Sequence, residues 1–256
     1  MSRQFSRDYT TEVILGNVAG RSRISVRGHD ETVPNGGPFG LSPQFGGNSF
    51  QFDQSAISAT PAVVSVASTD NTNDNAGGTG ALTVRVIGLD ASGDSQVETV
   101  TMDGQTEVAT SNTFSAVFTV LVLTTGANNA NTGTIYCGTG TFTTGVPAVR
   151  MLSMEIGHNI SLSGYFVVPN AKTLVLRQFL ATVGSSNQDV EVRIETSSNG
   201  ILWFTQGPFG LATGILAFEI IALPTFAAGT HFRLRAAGGA GGTVVTAIIA
   251  GELIDD

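Results

Sequence analysis

A chain of 256 residues can bury one large core or two smaller ones, and a hydrophobic share of 41% makes disorder a poor default. Only 12% of the residues are charged, against roughly 25% in ordinary globular proteins, and the net charge of −8 argues against a nucleic-acid binder. One cysteine, Cys137, excludes an intrachain disulfide and any CxxC metal or redox site.

The basic charge is concentrated at the start. Arg3, Arg7, Arg21, Arg23 and Arg27 face only Asp8 and Glu12 within residues 1–27, so the remainder of the chain is strongly acidic. MSRQFSRDYTTEV lacks the apolar stretch of a signal peptide, and the longest apolar run, Val117 to Leu123, is too short to span a membrane. Synthesis and assembly in a host cytoplasm are therefore expected. Gly and Pro punctuate the stretch up to Phe52, which carries Phe39, Phe45, Phe50 and Phe52. So many aromatics in a segment without strand or helix periodicity predict an extended arm over 1–58 that lies on a neighbouring surface. Its arginines and Phe39 and Phe45 are the candidate docking residues, because Arg pairs bidentately with carboxylates.

Residues 59–146 read as a β-meander. PAVVSVA, ALTVRVIGL, SQVETVTM and NTFSAVFTVLVL alternate in the two-residue period of strands. Asp90-Ala-Ser-Gly93 and Asp103-Gly104 supply turns in which glycine takes a positive φ. The second region, 147–256, offers GYFVVP, TLVLRQFLATV, QDVEVRIETS, HFRLRAA and GTVVTAIIAGELI, separated by turns at the spacing of an antiparallel sandwich or barrel. In VEVRIE, Val190, Val192 and Ile194 are expected inward and Glu191, Arg193 and Glu195 outward. The fold class is all-β: antiparallel β-sandwich or jelly-roll-like modules behind an extended N-terminal arm.

Catalytic chemistry finds little support. No Gly-x-Ser-x-Gly elbow is present, and AAGGAGGT lacks the Lys-Ser/Thr of a phosphate loop. Asp70, Thr72 and Asp74 alternate as calcium ligands could, but Asn75 stands where an EF-hand loop needs glycine and Ala81 where it needs a carboxylate. Cys137 in TGTIYCGTGTF reads as a buried thiol, and His29, His158 and His231 lie at no metal-ligand spacing. No enzyme activity, cofactor or metal is expected. Trp203, beside Phe204 and Phe209, is either a core residue or a sugar-stacking platform.

Residues 76–135, under a quarter of the chain, carry Gly80 to Val84, Gly88 to Asp90, Glu98 to Thr101, Gly104, Thr106, Val108, Thr110, Asn112, Phe114 and Gly133 to Ile135. This pattern resembles a segment of virion structural proteins of tailed double-stranded DNA bacteriophages. The C-terminal FVVPNAKTLVL, FAAGTHFRLRA and TAIIAGELI look like the sandwich or jelly-roll modules that end such particle proteins. They are similar also to trimeric jelly-roll modules of the tumour-necrosis-factor and C1q type. The resemblance implies a non-enzymatic virion component of the head-decoration, neck, tail or fibre-base kind. It would form a homo-oligomer, a trimer among the options, and dock to capsid or neck proteins through its arm, with no direct nucleic-acid or membrane role. The alternative is a host-glycan-binding module at the particle surface, with Trp203 as its platform.

Overall fold

The computed structural model describes residues 13, 17–33, 54–184, 190–211, 214–219, 224–238 and 243–256. Among them the chain is all-β with antiparallel pairing, and a short helix, α1, spans Ser55–Ala59. Strand β1 (Arg21–Val33) comes first, and after α1 follow β2 (Ser65–Ser68), β3 (Ala81–Leu89), β4 (Ser95–Thr101), β5 (Val108–Ala109), β6 (Ala116–Thr125), β7 (Ile135–Thr143) and β8 (Val146–Met154). The remainder is β9 (Tyr165–Val167), β10 (Lys172–Val183), β11 (Val190–Ser197), β12 (Phe204–Leu211), β13 (Gly214–Glu219), β14 (Thr225–Phe226), β15 (His231–Gly238) and β16 (Thr243–Asp255).

Pairing divides these strands into two bodies. In the first body, sheet β5-β2-β7-β8 and sheet β4-β3-β6 share one core. Val64, Val66, Ile135 and Leu152 meet Val84, Val86, Val100 and Val120 there, around the fully buried Phe114. The period-two apolar pattern of β3 and β6 makes this possible, since it puts one set of side chains on the shared face. Each fully buried Val, Leu or Phe stabilises the body by about 1.5–3 kcal/mol. Gly93 and Gly104 take φ of 82° and 63°, so both expected turns form where glycine permits them.

The second body has sheet I, β1-β16-β10-β13 with β14 beside β10, and sheet II, β12-β11-β15-β9. Val26, Leu176, Phe179, Val245 and Ile249 of sheet I share a core with Val190, Val192, Ile194, Phe232 and Leu234 of sheet II. The expected alternation in VEVRIE holds for Val190, Val192 and Ile194, which are buried inward, whereas Glu195 on the opposite face is buried as well.

Two boundaries differ from those read in the sequence. Residues 21–33, expected within the arm, form a full strand along β16, from Arg21 opposite Ile254 to Val33 opposite Thr243. Ile24 and Val26 turn their side chains to the second body's core while Arg21, Arg23 and Arg27 point away from it. That alternation is enough to recruit the segment into a sheet. The division expected after Val146 falls within β8, which pairs with β7 and delivers Met151, Leu152 and Met154 to the first core. The first body is thus inserted between β1 and β9 of the second.

Linker residues 155–164 tie the bodies together. Val122 donates to the Asn159 carbonyl and Ser161 to that of Val120, while His29 donates to Leu162 and Gly164 to Arg27. Gln54 adds a clamp, its Nε2 donating to the Val117 carbonyl at 2.7 Å and its Oε1 accepting from Val117 N at 2.8 Å. Leu89 and Ala116 pack on Tyr165 and Val167, and Phe118 lies 4.8 Å from Phe166 between ring centres.

Candidate functional site

The turn Ser197 to Gly200 sets the geometry at one end of sheet II. Ser197 Oγ accepts from Asn199 N and Gly200 N, and Asn199 Oδ1 accepts from Ile201 N and Leu202 N at 2.9 and 3.0 Å. Gly200 has φ +71°, and a Cβ there would sit 3.1 Å from the His231 ring and 3.3 Å from Ser58 Oγ. Glycine is needed both for the conformation and for the close approach. The turn leaves Ile201 and Leu202 64% and 61% exposed and folds Trp203 back against the junction of the bodies.

Trp203 is half-buried, so it is neither a core residue nor a free stacking surface. The Arg233 guanidinium carbon stands 3.9 Å from the ring centre, and the Tyr165 and His231 rings are steeply inclined to it with centres 6.4 and 6.3 Å away. Arg233 Nε donates to the buried Glu195 at 2.6 Å, with Arg235 Nη1 3.9 Å from the same oxygen. These groups meet because β11 and β15 pair Glu195 with Arg233 on the outward face of sheet II. Burial lowers the pKa of both arginines, Arg235 to about 10, with Glu195 opposing the shift and neighbouring arginines adding to that at Arg235.

His231 is buried, its Nδ1 2.8 Å from the Tyr165 hydroxyl. Desolvation lowers its pKa from 6.5 to about 4, so the imidazole is neutral at pH 7. It lines a cleft of about 350 Å³ between the two bodies. The first body contributes Leu89, Ala91, Ser92, Gly93, Ser115 and Ala116, and α1 contributes Ser58. Across from them stand Val167, Val168, Asn170 and Gly229 of the second body. Asn170 N donates to the Gly93 carbonyl at 2.7 Å and closes one end. The Ser58 hydroxyl is buried without a protein partner.

The other residues singled out in the sequence lie elsewhere. Arg3, Arg7, Phe39 and Phe45 fall outside the described residues. Arg21 Nη1 is bound to the buried Glu252 at 3.3 Å, which also holds Arg177, whereas Arg23 and Arg27 project from β1 into solvent. In the loop 69–80, Asp74 is fully buried and accepts from Ser68 Oγ, Ala81 N, Thr132 N and Gly133 N, binding two loops together. Asp70 accepts from Thr72 and Asn73, and the Asn73 bonds hold its carboxyl down at about 2. Asp90 accepts from Ser92 N and Asp94 N, and Glu98 from Ser111 N and Asn112 N, so these acids fix turns. Cys137 is buried and its thiol is pushed up to about 12 by desolvation. His29 and His158, far apart in the chain, have ring centres 5.9 Å apart. No group of three metal-ligating side chains occurs among the described residues, and no described helix is long and apolar enough to cross a membrane.

Sequence reasoning missed Ser58, Tyr165, Asn170 and His231 as neighbours. Outward alternation in β11 and β15 was legible, but not the strand pairing that joins Glu195 to Arg233. Compared with known proteins, the chain matches no family model, no curated protein and no solved structure.

Proposed function

We propose that this protein is a non-enzymatic structural component of a virion, a tailed-bacteriophage particle by the resemblance of residues 76–135, and that it acts as a symmetric oligomer. The observation that carries the oligomer is the outward face of sheet I. Across β1, β16 and β10 its central rows are Ser25, Ala250 and Gln178, then Arg27, Ile248 and Leu180, then His29, Thr246 and Thr182. These rows hold no carboxylate, and beside Arg27, His29 and Gln178 their side chains are small or apolar, a surface that a second copy can cover.

Charge supports a head-to-tail contact. Arg23 and Arg27 project from the strand at the edge of sheet I, while residues 59–154 carry seven acidic and two basic residues. A basic edge on one copy against the acidic inserted body of the next is a heterologous contact, which gives a ring when the rotation between copies closes. Strand order supports a jelly-roll reading of the second body: two antiparallel sheets, β1-β16-β10-β13 (with the short β14 beside β10) facing β12-β11-β15-β9, with an insertion after the first strand. Residues 1–12, with Arg3 and Arg7, are assigned to docking on other virion proteins, capsid or neck. Residues 21–33 contribute from within the sheet, as an edge strand.

Mass-spectrometric analysis of purified particles from the producing cells tests this reading. The chain is expected in stoichiometric amount with the particle; its recovery only in the soluble lysate, with none in particles, would refute the assignment.

A further inference from the structure

We propose that the cleft between the two bodies binds a neutral saccharide of one or two rings. The inference is independent of the virion assignment, because it rests on the chemistry of the cleft alone.

The lining excludes other ligand classes. None of its side chains is charged, so an anionic or cationic group entering the cleft would lose its hydration without gaining a counter-charge. Arg233 and Glu195 do not line the cleft and are bound to each other. A wholly apolar ligand is equally disfavoured, because it would leave the buried Ser58 hydroxyl still without a hydrogen-bond partner.

A sugar meets both conditions. Ser58, Ser92 and Asn170 offer hydroxyl and amide groups that no protein group engages among the described residues, so each is free to pair with a ring hydroxyl. The imidazole of His231 uses Nδ1 on Tyr165, which leaves Nε2 as its remaining polar atom. Leu89, Ala116, Val167 and Val168 provide an apolar wall for the C–H face of a pyranose. A volume of about 350 Å³ lies in the range of small-molecule sites. The cleft is made by both bodies, and the Asn170 to Gly93 hydrogen bond holds its two sides together. It also differs from a stacking platform: a face of Trp203 is occupied by Arg233, and the His231 ring stands nearly perpendicular to it, at 86°.

Trp203 is the sole tryptophan, so its emission reports on the cleft through His231. The full-length chain is titrated separately with maltose, lactose and cellobiose, following Trp203 fluorescence and, in parallel, saturation-transfer NMR of the sugar. At least one of the three is expected to bind saturably. Ser58→Val and Asn170→Ala, both folded by circular dichroism, are each expected to weaken that sugar by about threefold to tenfold, the loss of one neutral hydrogen bond. The negatively charged sialyllactose is expected to bind more weakly than lactose. The proposal is overturned if none of the three sugars binds by either readout. It is also overturned if Ser58→Val and Asn170→Ala both bind as wild type does, or if sialyllactose binds as well as lactose.

Discussion

Arg233 serves two partners at once: its guanidinium carbon lies 3.9 Å from the centre of the Trp203 ring, and its Nε donates to Glu195 at 2.6 Å. The same side chain neutralises a buried carboxylate and pins the tryptophan at the junction of the two bodies. Truncating it leaves Glu195 with Arg235 at 3.9 Å as its remaining cation among the ion pairs described. Arg233→Ala is therefore expected to destabilise the fold by about 3 kcal/mol, as removal of one partner from a buried pair does. Trp203 emission should shift to the red as the ring is freed. Urea unfolding followed by fluorescence reads both; an unchanged midpoint would show that the pair contributes nothing.

His231 gives stability a pH dependence. Its pKa falls from 6.5 to about 4 on folding, so between those values the unfolded chain takes up a proton that the native state refuses. Its contribution is complete above pH 6.5, is lost as the pH falls toward 4, and changes no further below that. The loss is on the order of 3 kcal/mol. Asp70 behaves differently: its carboxyl is held at about 2, so what it adds is lost below its ordinary value of 3.8. Urea midpoints measured from pH 7 to pH 4 should fall in the wild type and fall less in His231→Gln. Equal slopes would contradict the assignment.

Asp74 joins the loop around 69–80 to residues 132 and 133 through backbone and hydroxyl donors. Asp74→Ala leaves those buried donors unpaired and should cost about 3 kcal/mol or more. Asp74→Asn keeps the shape but replaces an acceptor oxygen with an amide nitrogen, and should cost less than alanine. Thermal unfolding of the two variants gives the order, and equal values would show that the hydrogen bonds do not matter.

The Cys137 thiol is buried and its pKa is raised to about 12, so the native chain holds almost no thiolate at mildly alkaline pH. A disulfide reagent should label it only after denaturation. Rapid labelling of the native protein would contradict the burial.

Strands with many alternating apolar residues were legible in the sequence. β3, β11 and the turns at Gly93 and Gly104 follow directly from period and glycine placement. β1 was not, because it offers only Ile24 and Val26 to the core among arginines, and its partner β16 lies more than 200 residues away. The insertion of one body between β1 and β9 is invisible to local pattern for the same reason. The cleft was equally hidden. Ser58, Asn170 and His231 carry no spacing signal, since α1 and the ends of β9 and β15 meet only after both bodies have folded. The acidic turn at Asp90 was correctly read as geometry, and the structure adds what it touches: Gly93 bonds to Asn170 of the other body.

The native mass of the full-length chain in solution tests the central claim most directly. Light scattering coupled to size-exclusion chromatography should give a discrete multiple of the 26.4 kDa chain, and Ile248→Arg or Ala250→Arg, placed on the outward face of sheet I, should reduce it to one copy. A wild-type mass of one chain across the accessible concentration range, or an oligomer indifferent to both substitutions, would contradict assembly through that face.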